Sequence, residues 1–370
     1  MKKQTCMLLC GVLCLLCLAV ACRSSSALPE KTSAAQTLDP NIETETEVIT
    51  VPGGIDRPAS QTAVPTEAPT PTPAPITEPV ITLVGGESIT YTADFTFTDP
   101  GYSAIDPKGQ NITDRVKVKG EVVSYLVGPY DLTYTVTDDE GRTASVVRHV
   151  EVVPYELPEI VMPPEKTVYL TFDDGPCSYT EKVLDLLKKY DAKATFFIIG
   201  NKSRKEFIAR AYEEGHSIGV HSYTHENKEI YKSEQAFFED FLKTQEVIKE
   251  QTGSYTRLFR FPGGSGNTVS RYNKGIMTRL CKIMEDMGYR YFDWNVSASD
   301  SSKDSTTSSV KSRVINGMKT HTDFVIILQH DIHLQSVRAV EAILQWGKEN
   351  GYTFRALDLT SPIVHSVLQN

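Results

Sequence analysis

Past its first 22 residues this 370-residue chain has almost no cysteine, for five of its seven fall at positions 6, 10, 14, 17 and 22 and leave only Cys177 and Cys281. Two isolated thiols make neither a disulfide framework nor a thiolate zinc site, so both are excluded. Positive charge is scarce too. Lys and Arg number 38 against 47 Asp and Glu, a net −9, which is the wrong balance for neutralising phosphates, and no nucleic-acid partner is expected. The deficit sits in residues 1–159, with 11 basic and 21 acidic side chains, whereas residues 160–370 carry 27 and 26. Halves so different in charge are expected to do different work, and the length leaves room for two folded units with appendages.

The apolar run from about Cys6 to Ala21, preceded by Lys2 and Lys3, is short for a membrane span and right for a signal-peptide core. Residues 1–22 are therefore read as a signal peptide and the protein as extracytoplasmic. The run ends Leu18-Ala19-Val20-Ala21-Cys22, either a small-x-small cleavage site or a bacterial lipobox with Ala19 where Leu is usual. We read it as the second. Lipidated Cys22 then anchors a lipoprotein to the outer face of the cell membrane; plain secretion and an uncleaved signal-anchor are the alternatives. Residues 23–78, rich in Pro, Thr, Ser and Glu, bury too little apolar surface to fold and are expected to be an extended spacer.

Residues 79–154 show short period-two runs, such as Ile89-Thr90-Tyr91-Thr92-Ala93 and Leu132-Thr133-Tyr134-Thr135-Val136, separated by turn residues. This pattern predicts a small antiparallel β-sandwich. The stretch from Val127-Gly128-Pro129-Tyr130 to Val150-Glu151-Val152 resembles bacterial immunoglobulin-like surface modules. It holds no cluster of catalytic side chains, and His149 alternates with apolar neighbours as a structural residue would.

From residue 160 to 370 strands and helices alternate. Apolar runs at 167–172, 194–199, 216–220, 257–261, 289–296, 323–329 and 352–358 are separated by amphipathic stretches such as Glu181 to Tyr190 and Glu234 to Glu250, which predicts a parallel α/β fold. In parallel barrels chemistry gathers at the carboxyl ends of strands. There the first run delivers Asp173-Asp174-Gly175-Pro176, two carboxylates whose repulsion a bound cation would relieve while leaving one as a base; a solvated turn would use the same residues. The third delivers His221-Ser222-Tyr223-Thr224-His225, in which one helical turn would bring two imidazoles together as metal ligands. His216 reads as structural. The fourth is followed by Arg260-Phe261-Pro262-Gly263-Gly264, where Arg260 is expected to orient a carboxylate by bidentate pairing and the loop to offer an N–H to an oxyanion. The sixth delivers Gln329-His330-Asp331, with His330 as a general acid; His321 lies at the wrong strand end and His333 starts a helix.

Taken in this order, the four sites resemble the polysaccharide deacetylases of the NodB-homology type, carbohydrate esterase family four, over residues 163–358. The resemblance implies a distorted (β/α)7 barrel of the NodB type, preceded by the small all-β immunoglobulin-like sandwich. It implies Asp173 as catalytic base, Asp174, His221 and His225 as ligands of a divalent metal, Arg260 as support for Asp173, the backbone near Gly263 as oxyanion contact, Leu328 beside the acetyl methyl and His330 as acid. The chain departs from the family in having Gly263 where an aromatic is usual. In the segment Trp294 to Ser301 it keeps the Trp, which is expected to help bind substrate, and the Asp, with Ser301 replacing a second Trp. Asp300 is expected to tune His330, with Asp293 as the alternative. Zn²⁺ suits a His₂Asp set with open positions, though Co²⁺ or another divalent ion would also fit.

The implied activity is metal-dependent removal of N-acetyl groups from a polysaccharide containing N-acetylglucosamine, with peptidoglycan foremost. An O-acetyl xylan esterase, a deacetylase of another exopolysaccharide, and a catalytically weak cell-wall-binding protein are the alternatives. The acetylated polysaccharide and the membrane are the expected partners.

Overall fold

Six strands form the first module, because short Val-, Thr- and Tyr-rich runs fit a pleated half-buried surface. They are β1 (Val80–Leu83), β2 (Ser88–Thr92), β3 (Tyr102–Ile105), β4 (Lys117–Lys119), β5 (Gly128–Thr137) and β6 (Thr143–Val153). The computed structural model describes residues 77–370; the expected signal peptide, Cys22 and the spacer to residue 76 lie outside the described residues. β1 pairs with β3, and a second sheet runs β2-β6-β5-β4. One pair departs from the all-antiparallel expectation, since β2 runs parallel to β6. Arg148 is buried in this module and donates to Val84 O and Gly101 O at 2.8 Å each, tying the two sheets together. His149, by contrast, is an exposed partner of Asp131 at 2.7 Å.

The second module begins with β7 (Thr167–Asp173), all seven residues of which are buried, as expected of a parallel strand covered on both faces. There follow α1 (Thr180–Lys189), β8 (Ala194–Ile199), α2 (Glu206–Glu213), β9 (Ser217–Ser222), α3 (Asn227–Ile230), α4 (Glu234–Thr252), β10 (Leu258–Phe259), α5 (Ile276–Asp286), β11 (Arg290–Tyr291), β12 (Val296–Ser297), α6 (Thr307–Thr320), β13 (Phe324–His330), α7 (Leu334–Glu349) and β14 (Thr353–Phe354). The sheet is parallel throughout and runs β11-β10-β9-β8-β7-β13-β12, with β14 added beside β7. It curls into a partial barrel that stays open between β11 and β12.

The single apolar run at 289–296 therefore supplies two short strands, one at each edge of that opening. Between them Phe292 and Asp293 turn their carbonyls to Arg260 instead of to a neighbouring strand. Helix ends follow local chemistry: Ser233 caps α4 by accepting from Ala236 N, and Gly253 ends it at φ +81°. No helix among the described residues is long and apolar enough to cross a membrane.

The two modules belong to one compact unit. Phe95 from the first module stands among Phe238, Phe241 and Tyr289 of the second, ring centroids 5.5 to 5.8 Å apart. Tyr125 meets Phe238 at 4.8 Å. The connecting segment is fastened as well, Tyr155 N donating to Asp286 O at 2.7 Å with the Arg257 guanidinium 4.1 Å over the Tyr155 ring. Tyr289 enters β11 and Arg257 enters β10, so this docking surface lies at the strand starts, away from the carboxyl ends.

Candidate active site

Alternation along β7 puts Thr171 and Asp173 on one face, and a single guanidinium nitrogen reaches both. Arg260 Nη1 donates to Thr171 Oγ1 at 2.6 Å and to Asp173 Oδ1 at 2.8 Å. The bidentate pairing expected from sequence is not what forms. Nε is spent on Phe292 O at 2.7 Å and Nη2 on Asp293 O at 3.1 Å, so one prong remains for the carboxylate. The guanidinium also stacks over Phe197 at 4.4 Å. Asp173 is 3% exposed and Arg260 0%, a buried pair in which losing one partner typically costs about 3–5 kcal/mol.

Asp174 takes φ +71°, a left-handed conformation that Asp tolerates better than most residues. The turn parts the two neighbouring carboxylates. Asp173 faces Arg260, while Asp174 Oδ1 lies 3.4 Å from His221 Nε2 and 3.5 Å from His225 Nε2. One ligand atom from each of these three residues falls within 4.8 Å of the others. Asp174 Oδ1 is buried without a hydrogen-bond partner, and His221 Nδ1 is 2.9 Å from Arg260 O. With Nδ1–H donating there, the Nε2 lone pair is left for a cation. Burial lowers the His221 pKa and so favours the neutral imidazole that ligation needs. This donor set fits a divalent metal, and open positions remain for water and substrate.

The two histidines do not converge through a helical turn, as their spacing suggested. Ser222 ends β9, and the chain bends through Tyr223 and Thr224 to His225 at φ +60°. Asp240 on α4 holds this bend: Oδ1 accepts from Ser222 Oγ and Tyr223 N, both at 2.7 Å, and Oδ2 from Thr224 N at 3.0 Å and Thr224 Oγ1 at 2.8 Å. Sequence reading missed Asp240. Its signal was an acid on the apolar stripe of a helix, three residues after Phe237 and four before Thr244, both buried.

His330 closes β13, and its Nδ1 is 2.8 Å from Asp300 Oδ1 while its backbone N–H donates to Asp300 Oδ2 at 2.7 Å. Burial disfavours the imidazolium, but the Asp300 hydrogen bond and the Asp173, Asp300 and Asp174 charges outweigh it and raise the pKa to about 9. Asp293 plays no part here. Its carboxylate faces Ser265 and Ser366 instead, so of the two candidates Asp300 is the one against His330. Asp331, also missed, is fully buried beneath the Asp173-Asp174-Gly175 turn: a β-carbon at Gly175 would lie 2.5 Å from its carboxylate oxygens. His216 is buried, with burial pushing its pKa down to about 4, in keeping with a structural role.

Phe261 to Gly264 form a turn closed by Gly264 N donating to Phe261 O at 2.8 Å, with exposed Gly263 at φ +80°. The Gly263 N–H is outside that bond. Half-buried Trp294 lies 5.5 Å from the Arg260 guanidinium and closes against Gly264, where an added β-carbon would be 3.1 Å from its ring. Leu328 is buried two residues before His330 and so shares its face of β13.

A family model described as polysaccharide deacetylase matches residues 161–292, and one described as bacterial surface protein, Ig-like domain, matches residues 81–152. A peptidoglycan-N-acetylglucosamine deacetylase of Bacillus cereus is 36% identical over 198 residues, 52% of this chain and 69% of the relative. One of Listeria monocytogenes is 34% identical over 212 residues, 55% of this chain and 42% of the relative. Among solved structures, the catalytic domain of the peptidoglycan N-acetylglucosamine deacetylase from Eubacterium rectale aligns with a TM-score of 0.56 and 45% identity, covering 58% of this chain and 98% of that one.

Proposed function

Because the chain belongs to the polysaccharide deacetylase family, we propose that it removes N-acetyl groups from N-acetylglucosamine units of peptidoglycan in a metal-dependent hydrolysis. The choice of polymer is supported by relatives named for that substrate. The observation that carries the mechanism is the convergence of an Arg-held carboxylate, a three-residue donor set and an Asp-held imidazole at one end of one sheet.

Asp174, His221 and His225 would hold the ion, with Zn²⁺ the best match to one carboxylate and two imidazoles. When bound it supplies Lewis-acid activation of water and of the acetyl carbonyl. Asp173 takes the proton from the attacking water, and Arg260 keeps its carboxylate aimed. The Gly263 N–H is free of the turn's own bond and donates to the oxygen on which negative charge develops. His330, charged below about pH 9, gives its proton to the departing amine. The C–N bond breaks and the products are acetate and a glucosamine unit. Leu328 and Trp294 flank this chemistry as apolar walls of the acetyl pocket.

The proposed setting is the outer face of the cell membrane, with residues 1–22 as export signal, Cys22 as lipid attachment and the Pro/Thr-rich stretch as reach into the wall. Its support is the sequence pattern described above. The test is acetate release from N-acetylglucosamine oligomers and from peptidoglycan. Release from acetylated xylan alone would transfer the site to ester substrates.

A further inference from the structure

The loop carrying the oxyanion contact is fastened by a residue outside it. Asp293 is 0% exposed, and three donors meet its carboxylate: Ser265 N on Oδ1 at 2.9 Å, Ser265 Oγ on Oδ2, and Ser366 N on Oδ2 at 2.7 Å. Every group facing it is a donor, so an amide of the same shape would turn its NH₂ against an N–H or O–H. Its own N–H donates to Val364 O at 2.9 Å, and its carbonyl accepts from Arg260 Nη2.

The chain end completes the clamp. His365 stacks on Tyr291 with ring centroids 3.8 Å apart and planes 9° from parallel. Ser366 and Val367 lie so close to Gly266 that a β-carbon there would fall 2.7 and 2.8 Å from their atoms. Asn370 accepts from Gly275 N and donates to Ser270 O and Asn273 O. Residues 364–370 are thus sewn along the segment that begins with the Arg260–Gly264 turn.

We propose that Asp293 is a positioning residue: through Ser265 it fixes the backbone that presents the Gly263 N–H, and through Ser366 it locks residues 364–370 onto that loop. The proposal rests on the deacetylase reading. Its effect falls on transition-state stabilisation and not on metal binding or proton transfer, since the Asp293 carboxylate touches none of Asp173, Asp174, His221, His225, Arg260 or His330, and the carbonyl that Arg260 Nη2 holds stays in place when the side chain is changed.

The experiment compares wild type, Asp293→Asn and Ser265→Ala as full chains loaded with Zn²⁺. Steady-state acetate release from N-acetylglucosamine oligomers is read together with bound zinc, the pH–rate profile, and hydrogen exchange of the 261–267 backbone. A displaced oxyanion donor is expected to lower kcat about 10–100-fold in Asp293→Asn and about 3–10-fold in Ser265→Ala. KM, zinc stoichiometry and both pH limbs should hold, and exchange at 261–267 should rise while the 217–225 segment stays protected. Ser265→Ala removes one oxygen and keeps the question open to refutation if Asp293→Asn does not fold. A kcat within twofold of wild type in the folded variants, or a loss that follows zinc loss, overturns the proposal. If wild type releases no acetate from any acetylated glycan, the deacetylase reading falls by itself; unchanged exchange at 261–267 would then overturn the role of Asp293, and raised exchange would uphold it.

Discussion

His330 and Asp173 sit opposite one another on a single rung of the parallel ladder between β13 and β7. The proposed acid and base are therefore spaced by the sheet itself, at the strand separation of about 4.8 Å, and not by loops. Each is then held by a second buried group, Asp300 for His330 and Arg260 for Asp173. A site built on rigid strands keeps its geometry when no substrate is present, which is what catalysis by positioned groups requires.

The His330–Asp300 pair sets the alkaline limb of activity. His330 must be protonated to act as an acid, so kcat/KM should fall as pH rises through about 9. Asp300→Asn removes the negative charge and leaves one accepting oxygen where there were two, while burial remains, so the limb should move to lower pH; a pH–rate profile reads it. The sign for stability agrees. A histidine raised from its ordinary 6.5 stabilises the fold fully below that value and loses the contribution as pH passes about 9. An unmoved limb in Asp300→Asn would assign the proton to another group.

Asp240 is expected to govern metal affinity without being a ligand. It accepts four hydrogen bonds from the bend that delivers His225, and loss of such an outer partner typically weakens binding about 10–100-fold. Competition of Asp240→Asn against a chromophoric zinc chelator measures this directly. Affinity equal to wild type would reduce Asp240 to a helix-packing residue.

The immunoglobulin-like module is expected to stabilise the catalytic module. Phe95 fills an aromatic box on the other module, and since it is only partly buried, Phe95→Ala should cost about 2–3 kcal/mol, less than a full core truncation. Calorimetry should show one transition for residues 77–370, lowered by several degrees in the variant. Two well-separated transitions, with the catalytic one unaffected by Phe95→Ala, would contradict the coupling.

The catalytic strands and the residues at their ends were legible because each buried parallel strand leaves a near-continuous apolar run and the polar residue after it stands out. That logic found Asp173, Asp174, His221, Arg260 and His330. It did not find Asp240, which reaches the His221–His225 bend from a helix, and Asp300 was preferred over Asp293 only through the family resemblance, because those contacts join segments far apart in the chain. The route by which His225 converges was misread for a related reason: spacing alone does not distinguish a helical turn from a bend held by a distant carboxylate. Docking of Phe95 was hidden because a Phe just past the end of β2, in a segment where apolar and polar residues alternate, looks like part of that module's own core.

The most direct measurement is acetate release from peptidoglycan and from N-acetylglucosamine oligomers by the full chain with Zn²⁺, after chelation, and with Asp173→Asn beside wild type. The account expects release that disappears with chelator, returns with metal, and falls about 10²–10⁴-fold in Asp173→Asn, the range of a lost general base. Release that persists in full after chelation, or at wild-type rate in Asp173→Asn, would contradict it.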